Sequence, residues 1–192
     1  MATVDWHGQL VEQLDWHWQN QARQRLDGLS DEEYRWEPVA NCWNVRPRGE
    51  APVRGPGAAE VMRVGSGAFT CDFAVPEPDP APLTTIAWRL AHLTVGVFGA
   101  RAASHFGGPP YDYMTYDYPG TADAALANLD ATYGAWREGV RSLDAEGLAR
   151  PIGPAEGPWH ESPMADLVFH INREAIHHLA EVALLRDLYA NR

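Results

Sequence analysis

The stretch "TTIAWRLAHLTVGVF", residues 84–98, constrains the fold more than any other. Ile86, Ala87, Trp88, Leu90, Leu93, Val95, Val97 and Phe98 leave a helix there with almost no polar side. A helix that is apolar nearly all round has to be enclosed by other elements. Thr84 or Thr85 supplies its N-cap, and "GGPP" ends it after His105 and Phe106.

The enclosing elements are legible in the same way. From about Asp5 to Gly28, Leu10, Leu14, Trp18, Ala22 and Leu26 recur at helical spacing and make one apolar stripe. In "LSDEEYRWEP", Ser30 and Glu33 form a capping-box pattern for a short helix that closes before Pro38. Thr121 caps "ADAALANLDATYGAWREGVRSLD". Ser162 is the expected cap of a last helix, with Pro163 at its first position, running to about Ala190. Four long helices in 192 residues, with no sustained strand pattern, predict an all-α four-helix bundle in a single domain, 1–192.

One segment breaks the pattern. Residues 46–82 are rich in Pro and Gly and exclude a long helix. Within them "VMRVGSGAFTCDF" alternates well enough for a short hairpin turning near "GSG". The rest is expected to be an ordered loop between the first two long helices. Long loops inside compact domains are often pocket walls, and this one leads into the start of the helix that carries His92. Trp43, Arg46 and Arg48 are therefore candidate pocket contacts, since Arg suits carboxylates.

Composition narrows the partners. Fifteen basic residues, all Arg, face twenty-six acidic ones, for a formal net charge of −11. That balance argues against a nucleic-acid partner and makes a cation more natural. No run approaches the length of a membrane span, and the N-terminus lacks a signal-peptide pattern, so a cytoplasmic protein with no membrane partner is expected. Cys42 and Cys71 give neither a disulfide framework nor a CxxC pair and read as free thiols.

Four chemically versatile side chains crowd "HINREAIHHLAEV". Placed on a helical wheel with Leu167 at zero, the apolar stripe centres near roughly 45°. Glu174 falls near about 340° and His178 near about 20°, within or at the edge of that stripe. His177 and His170 fall near about 280° and 300°, well to the side. A carboxylate on a core-facing stripe is costly unless its charge is compensated. Glu174 and His178 are one turn apart on one face, so a shared metal, an ion pair with Arg or a bond to a charged His would each serve. A metal needs a third ligand, and His92, in the middle of the apolar helix, is the best candidate. Two imidazoles and a carboxylate match a metal site with open positions; a buried Glu–His–Arg network remains the alternative. His177, Glu181 and His170 are candidate supporting groups, with solvated surface as the plainer role. His7, His17, His105 and His160 lie at ends, on the first helix or in loops.

These motifs carry a family resemblance. "TTIAWRLAHLTVGVF", "LDGLSDEEYRWEP" and "NREAIHHLAEVALLRDLY" resemble, in turn, the metal-binding second helix, the segment after the first helix, and the last helix of the DinB/YfiT-like superfamily. The resemblance covers most of the chain except roughly residues 46–82. It implies an up-down-down-up bundle and a metal triad at His92, Glu174 and His178. Many members have His where this chain has Glu174. The branch that includes mycothiol-dependent maleylpyruvate isomerase is similar in using His, Glu and His. That likeness implies a divalent metal, zinc first and Ni, Co, Mn or Fe as alternatives. It also implies a low-molecular-weight thiol such as mycothiol as cosubstrate and a small electrophile as acceptor; a homodimer is the assembly considered beside the monomer. The expectation is thus a metal-dependent thiol S-transferase. The other readings are a non-enzymatic, stress-associated metal-binding protein, a metal-free bundle held by a Glu174 network, and a mononuclear iron oxygenase.

Overall fold

A computed structural model describes residues 4–51, 53 and 61–192. Part of the predicted loop, residues 52 and 54–60, lies outside the described residues. The protein is mostly helical, with a small three-stranded sheet.

Helix α1 spans residues 6–26 as an α-helix, Trp6–His17, continued by a π-helical turn, Trp18–Ala22, and a 3-10 turn, Arg23–Leu26. Asp5 caps it by accepting the Gly8 N–H at 2.9 Å. The predicted stripe Leu10, Leu14, Trp18, Ala22 and Leu26 is buried throughout. Gly28, at φ +70°, then turns the chain in a conformation that other residues rarely adopt. The short α2, Asp31–Tyr34, starts at Ser30, whose Oγ accepts from the Glu33 N–H. Only half of the expected capping box forms. The Glu33 carboxylate accepts instead from Arg186, far along the chain.

The sheet qualifies the all-α expectation. Strands β2, Met62–Val64, and β3, Phe69–Phe73, pair antiparallel across the Gly65–Ala68 turn. A third strand, β1, Val45–Pro47, pairs with the other edge of β3, placing both Val45 and Val64 opposite Cys71. Three residues are too few to show an alternating pattern, so β1 was invisible in the sequence. Its register is held by Asp72, fully buried, which accepts the Asn44 N–H and pairs with Arg46 and Arg63.

Helix α3, residues 86–106, begins at Thr85, whose side chain accepts the Trp88 N–H, and contains a seven-residue π-helical stretch, Leu93–Gly99. Every residue of that stretch is buried, as the all-round apolar pattern required. Against α3 pack α4, Ala122–Arg141, α6, Met164–Ala190, and the sheet. Trp18 of α1 meets Phe98 edge-on and stacks on Tyr133 of α4 at 3.9 Å, so three helices share one aromatic cluster. Burying each such side chain is worth about 2–3 kcal/mol.

The start of α6 corrects a sequence expectation. Ser162 does not cap it; Pro163 holds the N-cap position with no side-chain bond. The free Met164 N–H donates to the Arg150 carbonyl, because residues 150–152, just after the short α5 (Ala145–Ala149), run beside 162–164. A backbone acceptor thus does the work expected of the serine. Among the described residues, no helix is long and apolar enough to cross a membrane.

Candidate metal centre

Helix α3 brings His92, and α6 brings Glu174 and His178, to one place. One potential ligand atom from each lies within 4.8 Å of the others. His178 Nε2 is 3.3 Å from Glu174 Oε2, and the two imidazole rings meet edge to face at 4.8 Å between centroids. Two ligands about 2.05 Å from a tetrahedral metal are about 3.3 Å apart. The His178–Glu174 pair already has that spacing, and side-chain rotation alone must close the remainder. The donor set therefore fits a divalent cation.

Both imidazoles are oriented through their other nitrogen. His178 Nδ1 lies 2.7 Å from Glu181 Oε2. A carboxylate can only accept, so in the tautomer a ligand needs, Nδ1–H donates to Glu181 and Nε2 is left for a cation shared with Glu174; Arg89 Nη1 lies 3.2 Å from the same Nδ1. Arg89 anchors this arrangement: its Nε is 3.1 Å from Glu181 Oε2, and its Nη2 donates to Oε1 at 3.2 Å. His92 Nδ1 lies 2.7 Å from the Tyr113 hydroxyl. In the tautomer a ligand needs, Nδ1–H donates to that oxygen and Nε2 is left for the metal.

Electrostatics favours neutral donors. Burial, reinforced by His178, Arg89 and Arg101, pushes His92 down to about 3, so it stays unprotonated at neutral pH. Burial also raises the Tyr113 hydroxyl well above its ordinary value, so it remains a phenol. Trp88 stacks on the His92 ring at 5.4 Å and is itself fixed by its indole N–H, which donates to the Asp72 carbonyl at 2.8 Å. Gly96 sits where the Tyr113 hydroxyl approaches α3; a Cβ there would lie 2.0 Å from it.

The other candidate residues fall in distinct places. His177 is well exposed and reaches Glu181 Oε1 at 3.3 Å. His177, His178 and Glu181 also have ligand atoms within 4.8 Å of one another, but Glu181 is already committed to Arg89. His170 is half-exposed, 3.9 Å from Glu174 Oε1. Trp43 is buried behind Trp88, its ring centroid 6.0 Å away. Arg46 is taken up by Glu37, Asp72 and the Cys42 carbonyl. Arg48 donates to the Gly65 and Gly67 carbonyls and holds the hairpin turn. Elsewhere, His7 bonds the Val140 carbonyl and His105 bonds Glu156.

Sequence reasoning passed over Arg89, Trp88 and Tyr113. Arg89 had a usable signal. It is the one charged residue in the apolar stretch 84–98 and lies three residues before His92, on the same face. Tyr113 had none, because only the fold returns its loop to α3.

A family model described as the DinB superfamily matches residues 13–182, a span containing all three candidate ligands. No curated protein and no solved structure matches the chain.

Proposed function

The chain belongs to the DinB superfamily, and on that premise we propose that it is a divalent-metal-dependent thiol S-transferase. It would join a low-molecular-weight thiol such as mycothiol to a small electrophile. The observation that carries this reading is the convergence of His92, Glu174 and His178 from two helices, with both imidazoles held through Nδ1.

Three protein ligands leave a position open, and zinc is the metal that this donor set suits best. When bound, such a cation lowers the pKa of a thiol so that the thiolate, the nucleophilic form, is present at neutral pH. The protein's own part is positional. Glu181, braced by Arg89, orients His178; Tyr113 orients His92; Trp88 shields the His92 ring from water on one side. Glu174 brings the negative charge that the cation requires. Parallel α3 and α4, joined by the long connection 107–121, would complete the up-down-down-up bundle. A cytoplasmic location and small-molecule partners belong to the same proposal.

The runner-up is a non-enzymatic, stress-associated metal-binding protein using the same triad. Elemental analysis of untagged protein comes first, and metal at background in both as-isolated and metal-supplemented preparations removes both readings. Incubation with several thiols and monobromobimane or chlorodinitrobenzene then separates the two. The transferase reading expects thiol-dependent turnover that His178→Ala abolishes. Equal rates for the parent and that variant would leave only the metal-binding protein.

A further inference from the structure

Beside the metal centre lies a cavity of about 670 Å3, within the range that holds small molecules. It runs between α3, α6 and the 150–163 connection, and two links tie it to the triad. His170 lines it and reaches toward Glu174. Arg101 lines it and donates to the Gly96 carbonyl, one turn along α3 from His92, beside the Tyr113 hydroxyl.

The cavity has a polarity. Glu156, nearly buried, is satisfied by His105 at 3.0 Å and Arg101 at 3.3 Å, and these contacts hold its carboxyl below the ordinary range. Glu156 and Arg101 thus offset each other's charge, with Arg101 Nε buried and without a hydrogen-bond partner. Arg173 is different: it is exposed, lines the cavity and makes no ion pair among the described residues. It lies one turn from His170 and next to Glu174. Asp166 stands two turns away on α6, about 10 Å along the axis, and complements the helix N-terminus there. An anion is therefore welcome at the Arg173 end and repelled at the other. Trp159 and Phe169 line the same cavity, yet 68% and 45% of their surfaces remain exposed. Two large apolar side chains left open around one hollow are a surface for a planar apolar body.

We propose that this cavity binds a small aromatic or similarly planar carboxylate, with its carboxylate at Arg173 and His170 and its body against Trp159 and Phe169. The ligand's role as the acceptor rests on the transferase reading, whereas its binding does not. As the acceptor, an α,β-unsaturated acid seated this way would take the thiolate sulfur at its β-carbon, the C=C pair moving to the α-carbon and a proton from solvent completing the addition, so that no group leaves.

Calorimetry on the full chain tests this with trans-cinnamate and its neutral counterpart, cinnamyl alcohol. Cinnamate is expected to bind at least about tenfold more tightly, the scale of a charge-assisted bond. Arg173→Ala should erase that preference, Arg173→Lys should retain part of it, and Phe169→Ala should weaken both ligands. All three changes are at exposed side chains, so folding is expected to persist, checked by circular dichroism. No binding of cinnamate, no preference over the alcohol, or a preference untouched by Arg173→Ala would overturn the proposal, and none of these results touches the metal site itself. Arg173-dependent binding to protein that takes up no metal would instead keep the cavity and remove the transferase.

Discussion

Glu181 accepts from His178 Nδ1 at 2.7 Å, three residues along the same helix, while Arg89 reaches across from α3 to hold Glu181. The bond fixes which nitrogen of His178 is available. It also explains why two adjacent histidines have different roles. His178 is buried and points at Glu174, whereas His177 touches the outer edge of Glu181 from solvent.

The first prediction follows from that difference. His178→Ala should abolish stoichiometric metal binding, and His177→Ala should leave it within about twofold, as expected of a surface residue. Metal content after dialysis against a weak chelator reads both. Loss of metal in both variants would move the site to the outer face of α6.

Glu181→Gln keeps the size of the side chain but weakens its acceptance from Nδ1–H. Metal affinity should fall by about 10–100-fold, the usual effect of removing a partner behind a ligand histidine. Competition with a zinc-binding dye measures it. An unchanged affinity would mean that packing alone orients His178.

Gly96 admits the Tyr113 hydroxyl to α3. Gly96→Ala should displace Tyr113 and destabilise the protein by about 1–3 kcal/mol, the range for overpacking. Adding Tyr113→Ala should recover part of the loss relative to the sum of the two single changes. Strict additivity of the two in chemical denaturation would show that they do not meet.

Asp15 ties α1 to α4. Burial raises its carboxyl pKa, but bonds from Arg137, Tyr133 and Gln19 outweigh this and leave it below the ordinary value. Tyr133 donates at 2.7 Å and Arg137 at 3.0 Å. A depressed folded-state pKa means that the contribution is present above the unfolded value of 3.8 and lost as pH falls through the folded one. Asp15→Asn should cost about 1.5–3 kcal/mol at pH 7, the range for hydrogen bonds to a charged group, with the gap to the parent closing at acid pH. A gap that stays constant from pH 7 to pH 2 would show that the carboxylate's charge is not what stabilises the contact.

Much of the helical framework was legible because each long helix states its own boundaries and buried face. Thr85 and Thr121 cap where their spacing indicated, and the α1 stripe is buried residue for residue. The misses share a cause. The Ser162 cap failed because a distant carbonyl, that of Arg150, takes the N–H first. Strand β1 is too short for periodicity and depends on partners 22–26 residues away. Arg46 and Arg48 are candidate pocket contacts by sequence, and the sheet they flank supplies the Asp72 carboxylate and the turn carbonyls that they bond.

The sequence by itself determined that Glu174 and His178 share one side of a helix and that His177 does not, because helical geometry is local and fixes direction every 100°. It also required His92 to lie on an enclosed helix. Only the tertiary structure decided that α3 and α6 meet at those residues and that Tyr113 and Arg89 brace the two imidazoles. It alone opened the cavity beside Arg173. Those relationships depend on packing between segments as much as 92 residues apart, where side-chain shape and burial, not spacing along the chain, choose the neighbours.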